Sequence, residues 1–166
     1  MEPRLDLTKE YGLVLEGGGA KGAYQIGAWK ALKEAGVKIK GVSGTSVGAL
    51  NGALICMDDL ERAENLWANI SYSQIINVDD ELMGRLFDKS QMKPEFLRET
   101  LKEIFRMLGE GGMDITPLRR LIEENIDEDL IRKSPVEFYS CTYSLTDRKE
   151  LNVDMKTVPE GQMKDM

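Results

Sequence analysis

A glycine-rich hexapeptide, Gly17-Gly-Gly-Ala-Lys-Gly22, lies between a short apolar run and a predicted helix. Glycines let the backbone turn tightly with its N–H groups exposed, and a helix that begins there adds partial positive charge. Such a loop can bind an anion or stabilise a developing oxyanion. It also fits the dinucleotide pattern G-x-G-x-x-G, although no acidic residue follows the second predicted strand to bind a ribose. A further interpretation of the hexapeptide is a turn whose glycines serve only to allow tight packing.

A second motif, Gly44-Thr-Ser-Val-Gly48, has the pattern G-x-S-x-G, again where a predicted strand runs into a helix. In that pattern the glycines allow a sharp turn that projects the serine hydroxyl, so Ser46 is a candidate nucleophile. The alternative interpretation is that Ser46 only caps a helix.

The two motifs are separated by 27 residues from Gly19 to Ser46, which is the length of one strand-helix-strand crossover. In a right-handed crossover both turns lie side by side at the carboxyl edge of a parallel sheet. A serine beside exposed backbone donors can perform acyl transfer, because the donors stabilise the oxyanion that forms when the hydroxyl attacks a carbonyl.

At these residues the sequence resembles the patatin-like phospholipase family, whose motifs are G-G-G-x-[KR]-G and G-x-S-x-G. The likeness is specific over residues 11–57 and weaker at 114–118 and 136–153. It implies a serine hydrolase of lipid esters with a Ser-Asp dyad, a lipid ester substrate and peripheral contact with a membrane or micelle. It implies these roles: Ser46 as nucleophile, Gly17, Gly18 and Gly19 as oxyanion hole, and Lys21, Gly22, Gly44 and Gly48 as supporting residues.

The family's aspartate lies in an Asp-Gly-Gly or Asp-Gly-Ala motif, and this chain contains no Asp-Gly dipeptide. The late aspartates Asp147, Asp154 and Asp165 are interpreted as turn, strand-end and tail residues. We therefore expect an N-terminal portion of a longer enzyme, with a polar lead-in at 1–10 and an acyl hydrolase domain at 11–166 that lacks its C-terminal part. Such a chain is expected to hydrolyse esters weakly or not at all.

The predicted fold is an α/β three-layer arrangement with a mostly parallel central sheet, incomplete at its C-terminal end. Strands are predicted at 11–16 and 37–43, with a helix at 20–35 between them and another helix from Val47. A third helix follows a cap at Asp58 or Asp59, and residues 71–91 are predicted to be irregular. Further helices are predicted from Pro94 and from Thr116 as N-cap, before a β-rich segment at 136–153.

Composition excludes several classes of protein. The chain has 166 residues, 22 Lys and Arg against 29 Asp and Glu, a net charge of −7 and no histidine. An acidic chain without a basic cluster argues against nucleic-acid binding. Without histidine it contains neither a Ser-His-Asp triad nor a His-containing metal site, and no metal or cofactor is expected.

Two alternatives to the patatin-like hydrolase remain open. One is an α/β-hydrolase whose histidine lies in missing sequence, and the other is a non-catalytic module that binds an anion or nucleotide. Cys56 and Cys141 suit a reducing compartment. No signal peptide or transmembrane run is present in the sequence, so a cytoplasmic location is expected.

Overall fold

The computed structural model describes residues 5–71, 74, 114–144 and 146–165. The chain divides into two compact units, one of residues Met1–Asn69 with Asn125–Met166 and one of Ile70–Glu124. The first unit contains the elements β1 (Glu10–Leu15), α1 (Lys21–Glu34), β2 (Lys38–Gly44), α2 (Val47–Met57), α3 (Leu60–Asn69), α5 (Glu128–Lys133), β3 (Glu137–Ser144) and β4 (Lys149–Asp154). Two single-turn helices follow at Met155–Thr157 and Met163–Asp165, and α4 (Thr116–Asn125) falls almost wholly in the second unit.

The four strands form one sheet in the order β1-β2-β3-β4. Strands β1, β2 and β3 are parallel, and β4 pairs with β3 in the antiparallel direction. The prediction of an α/β fold with a mostly parallel sheet is therefore confirmed. At the carboxyl edge Leu15 of β1 pairs with Gly44 of β2, so the segments that follow these two strands begin next to each other.

Helix α2 packs against this sheet because it is almost wholly apolar and carries a glycine at the contact. A β-carbon on Gly52 would lie 2.8 Å from the ring of Phe138 on β3 and 3.5 Å from Val42 on β2. Leu54 of the same helix and Val42 are among the most deeply buried side chains of the described residues. Burial of this apolar face supplies most of the driving force for packing of helix on sheet.

The opposite face of the sheet is open at β1. Alternate residues of a strand point to opposite faces, and Val14, which pairs with Ser43, is 88% exposed. Among the described helices of the first unit, α1 and α3 contact each other and α2, and α5 contacts α2. The described helices of this unit therefore form one contiguous packed group.

Local capping decided between two predicted positions for one helix boundary and moved another boundary by one residue. Asp59, rather than Asp58, caps α3 by accepting a bond from the Arg62 N–H (3.0 Å), whereas Asp58 ends α2 in the left-handed conformation. Thr116 was expected to be an N-cap but is the first helical residue of α4, because the Asp114 carboxylate accepts its N–H (3.0 Å).

Helix α5 is absent from the sequence-based prediction. It begins in an acidic run, where the Asp127 carboxylate accepts the N–H of Leu130 (3.1 Å) and acidic residues occupy the first turn. Acidic side chains at this end are favourable because they complement the partial positive charge of the helix N-terminus.

Other predictions fall outside the described residues, namely the helix from Pro94 and most of the irregular stretch at 71–91. Within the part of the chain that the structure describes, no helix is both long enough and apolar enough to cross a bilayer.

Candidate active site

Ser46 lies in a strained turn between β2 and α2. Its backbone has φ 55° and ψ −125°, outside the regions that L-residues ordinarily adopt, and α2 begins at the next residue. The side chain is exposed, and its hydroxyl has no hydrogen-bond partner among the described residues. A strained, exposed serine with a free hydroxyl has the geometry that G-x-S-x-G predicts for a nucleophile.

The two glycines that flank Ser46 are required by close backbone contacts. A β-carbon on Gly44 would lie 2.2 Å from the carbonyl oxygen of Gly48, and one on Gly48 would lie 2.3 Å from the carbonyl oxygen of Leu15. Real β-carbons do not approach other atoms so closely, so any side chain at either position would force the turn apart. Both positions therefore have a steric reason to be glycine.

The glycine loop lies directly beside this turn. A β-carbon on Gly17 would be 3.3 Å from the β-carbon of Ser46, and the N–H of Thr45 donates to the carbonyl of Leu15 (3.1 Å). The structure therefore brings together the two motifs that the crossover length placed at one sheet edge.

Backbone donors of the loop are unpaired. The N–H groups of Gly17, Gly18 and Gly19 donate to no described group, and the last two residues have φ values of 136° and 57°. Left-handed glycines of this kind turn successive N–H groups to one side, which creates an anion-binding concavity.

A further donor was missed by the sequence analysis. The N–H of Val47, the residue after the candidate nucleophile, also lacks a partner among the described residues because it lies in the first turn of α2. The signal was in the motif itself, since G-x-S-x-G places the N–H that follows the serine in the oxyanion hole.

Lys21 crosses over the loop. Its Nζ forms an ion pair with Glu16 (3.2 Å), and its aliphatic chain lies where a side chain on Gly18 would be, 3.0 Å from that β-carbon position. Both charged groups are largely exposed, so the pair itself stabilises little. The aliphatic chain of Lys21 thus packs on the backbone of Gly18.

Gly22, the last glycine of the loop, is needed for packing rather than for its conformation. A β-carbon there would lie 2.1 Å from the ring of Trp67 on α3 and 2.6 Å from Val47. The indole therefore rests directly on the backbone at the end of the loop.

The late aspartates have structural partners. Asp147 accepts a bond from the Ser144 hydroxyl (3.1 Å) in the turn before β4, and Asp154 accepts the N–H of Lys156 (3.0 Å) at the end of β4. These contacts confirm the turn and strand-end interpretations, while Asp165 lies in the last single-turn helix. Among the described residues no carboxylate bonds to the hydroxyl of Ser46, and no group of three metal-ligating side chains is gathered.

Comparisons with known proteins identify a family for this chain. The model of the family described as patatin-like phospholipase matches residues 13–160. The chain is 56% identical over 50 residues to lysophospholipase nte1 of Aspergillus terreus and 60% identical over 47 residues to neuropathy target esterase sws of Drosophila sechellia. Those matches cover 30% and 28% of this chain and 3% of each relative, so the chain spans only a small part of their length.

A solved structure supports the fold independently. The crystal structure of VipD from Legionella pneumophila superposes with a TM-score of 0.54 at 16% identity, covering 93% of this chain and 40% of that one. With the family model matching most of the chain, the conclusion is that this chain belongs to the patatin-like phospholipase family.

Proposed function

We propose that this chain carries the nucleophile and the oxyanion hole of a serine hydrolase that acts on lipid esters. The observation that carries the proposal is the position of Ser46, strained and exposed, 3.3 Å from the β-carbon position of Gly17 in a loop of unpaired donors. Membership of the phospholipase family supports the substrate class, and the relatives are named as a lysophospholipase and an esterase. Contact with a membrane or micelle and a cytoplasmic location stay predictions.

In the proposed reaction the Ser46 Oγ attacks the ester carbonyl carbon while its proton passes to a base. The carbonyl oxygen becomes an oxyanion that accepts hydrogen bonds from Gly17, Gly18 and Gly19, with the Val47 N–H as a further donor. Collapse breaks the ester C–O bond, the alcohol leaves with the proton, and water then hydrolyses the acyl-serine. In comparable sites the loss of one oxyanion donor costs about 3 to 4 kcal/mol of transition-state stabilisation.

The base is proposed to be an aspartate supplied from outside residues 1–166. The lack of an Asp-Gly dipeptide, the motif in which the family's aspartate lies, supports this. The dyad that the family implies uses a carboxylate as its base, and the site would have to tune the basicity of that carboxylate so that it accepts the serine proton. On its own the chain is then expected to react slowly.

A fluorophosphonate probe tests the nucleophile, because its phosphoryl oxygen occupies the oxyanion hole as Ser46 is phosphonylated. We expect slow labelling of the wild type, with the adduct located on Ser46 by peptide mass spectrometry. Ser46→Ala should abolish it, and Ser43→Ala, a matched loss of a neighbouring hydroxyl, should keep it. A folded wild type that gains no adduct, yet is thermally stabilised by a nucleotide, would instead favour the anion-binding module.

The pH dependence of labelling tests the absent base. An unassisted hydroxyl reacts through its alkoxide, so the logarithm of the rate should rise steadily between pH 6 and pH 9. If a dyad carboxylate acted as the base, the labelling rate would instead become constant at pH values above the pKa of that carboxylate. A plateau, or rapid ester hydrolysis lost in Ser46→Ala, would contradict the proposal that residues 1–166 lack the base.

The α/β-hydrolase alternative is less well supported. That class expects more than one crossover between oxyanion loop and serine, whereas here a single crossover, β1-α1-β2, separates them.

A further inference from the structure

We propose that Asn51, Gln25 and Trp67 form a positioning network that holds the glycine loop in register with Ser46. The proposal rests on the proposed function, since it assigns a task to residues that do not touch the substrate. Asn51 lies five residues after Ser46 on α2 and is completely buried. A polar side chain buried in an otherwise apolar helix is costly unless its hydrogen bonds are made, so its partners show what it does.

The network forms hydrogen bonds to both ends of the loop. Asn51 Nδ2 donates to the carbonyl of Gly22, the last residue of the loop (3.0 Å), and to Gln25 Oε1 (2.9 Å). Gln25 Nε2 donates in turn to the carbonyl of Glu16, which immediately precedes the first glycine (2.8 Å). Two buried amides therefore join α2, the helix that begins at Ser46, to both flanks of the loop.

Trp67 fixes which way the Asn51 amide faces. The indole Nε1, which can only donate, bonds to Asn51 Oδ1 (2.8 Å), and this leaves the Nδ2 hydrogens for the acceptors on Gly22 and Gln25. The same indole ring packs on the backbone of Gly22. Trp67 thus acts on the loop twice, by setting the amide orientation and by closing the space above the last glycine.

The loop needs such support because its own residues offer little. Three successive glycines have no side chains with which to hold a conformation, and their N–H groups make no bonds within the described chain. Oxyanion donors must lie within about 0.5 Å of the productive position, and a misplacement of about 1 Å can cost a hundredfold in rate. The direction of these N–H groups is therefore set from α2 and α3 through the buried amides.

The test compares two substitutions on the same helix. Gln25→Met keeps the size of the side chain but removes the bond to Glu16 and the acceptor for Asn51. Lys30→Met is the matched control, because it removes the exposed bond between Lys30 and Glu64 (2.7 Å), which joins α1 to a different helix, α3, and does not reach the loop. Trp67→Phe, which keeps most of the packing and removes only the N–H, provides a second route if Gln25→Met fails to fold.

Two readouts are measured for each variant. The first is fluorophosphonate labelling of Ser46, divided into a maximal rate and a half-saturating concentration. Gln25→Met and Trp67→Phe should lower the maximal rate by about tenfold to a hundredfold and leave the half-saturating concentration within twofold. The second is the set of amide NMR signals of Gly17, Gly18 and Gly19, which should shift or broaden in both variants and stay unchanged in Lys30→Met.

Each outcome decides the proposal. Wild-type rates and glycine signals in Gln25→Met and Trp67→Phe would overturn it, as would equal losses in Lys30→Met, since the network would then serve only general stability. If the wild type gains no label at Ser46, the proposed function fails. The glycine signals still decide whether the network orders the loop.

Discussion

Gly17 and Ser46 lie so close together that a methyl group added to Gly17 would push the glycine loop away from Ser46, the candidate nucleophile. The β-carbon position of Gly17 is 3.3 Å from the β-carbon of Ser46 and 3.3 Å from the carbonyl oxygen of Thr45. Contacts of this length are tighter than ordinary packing, so one partner must move by a few tenths of an ångström. The movement falls on the loop, because the turn is fixed between Gly44 and Gly48.

Gly17→Ala should therefore impair reactivity more than stability. We expect fluorophosphonate labelling of Ser46 to slow by about tenfold, because the loop donors shift away from the oxyanion position. The control is Gly27→Ala on α1, where a β-carbon meets no heavy atom within 4 Å and stability should rise by about 0.5 to 1 kcal/mol. Labelling of Gly17→Ala at the wild-type rate would contradict this account of the contact.

The strain at Ser46 predicts that glycine at this position gives a more stable protein than alanine does. A residue held at φ 55° and ψ −125° costs about 1 to 3 kcal/mol, and glycine relieves this at an entropic cost of about 0.5 to 1 kcal/mol. Ser46→Gly should therefore melt about 2 to 4 °C above Ser46→Ala in a thermal scan.

The matched pair at Ser43 should behave in the opposite way. Ser43 lies in β2 without positive φ, so Ser43→Gly should melt below Ser43→Ala. The same order of stability at both positions would mean that no strain is stored in the turn.

Local patterns were enough to predict the part of the fold that carries the candidate site. Apolar runs interrupted by glycine predicted the boundaries of β1, α1, β2 and α2 to within one or two residues of those observed. This was possible because each sequence signal lies inside the element that it defines. Crossover geometry then placed the loop beside the turn, since parallel strands joined by one helix end at the same edge.

Features that depend on distant residues could not be predicted in this way. The bonds among Gln25, Asn51 and Trp67 join three helices, and no periodicity within any one of them indicates the partners. Helix α5 was missed because its six residues are too short for a periodic signal and its acidic start resembles a solvated loop.

Burial of Cys56 predicts that the two cysteines differ in reactivity. Loss of hydration raises the pKa of the Cys56 thiol to about 12, so hardly any thiolate exists at pH 8. Cys141 is only partly buried, in contact with Asn152 and Ser43. With a thiol reagent at pH 8, we expect one cysteine to react in the folded protein and the second only after unfolding in guanidinium.

Cys141→Ala identifies the faster thiol. This variant should show no rapid reaction while folded and one thiol after unfolding. Rapid modification of Cys56 in the folded variant would contradict the burial of that side chain.

The ion pair of Glu128 and Arg132 predicts how stability changes in acid. Arg132, paired with Glu128 on α5, donates to the carbonyls of Lys156 (2.9 Å) and Val158 (2.6 Å), while Glu128 accepts the N–H of Gly161 (3.0 Å). The pair thus ties α5 to the segment that follows β4. Bonds from Arg132, and secondarily from the backbone, lower the pKa of Glu128 below its ordinary value of 4.5 despite partial burial.

A carboxyl group whose pKa is lowered by folding stabilises the folded state at pH values above its ordinary pKa. This contribution is lost as the pH falls through the pKa of the group in the folded protein. Glu128→Gln should therefore reduce the free energy of unfolding by about 2 kcal/mol at pH 7, as measured in urea, and the difference from wild type should shrink steadily below pH 4.5. Glu160→Gln removes an exposed carboxylate beside Gly161 without breaking these bonds, and should follow the wild-type curve. If the free energy of unfolding of Glu128→Gln were lower than that of the wild type by the same amount at pH 3 and at pH 7, the pair would contribute packing rather than charge.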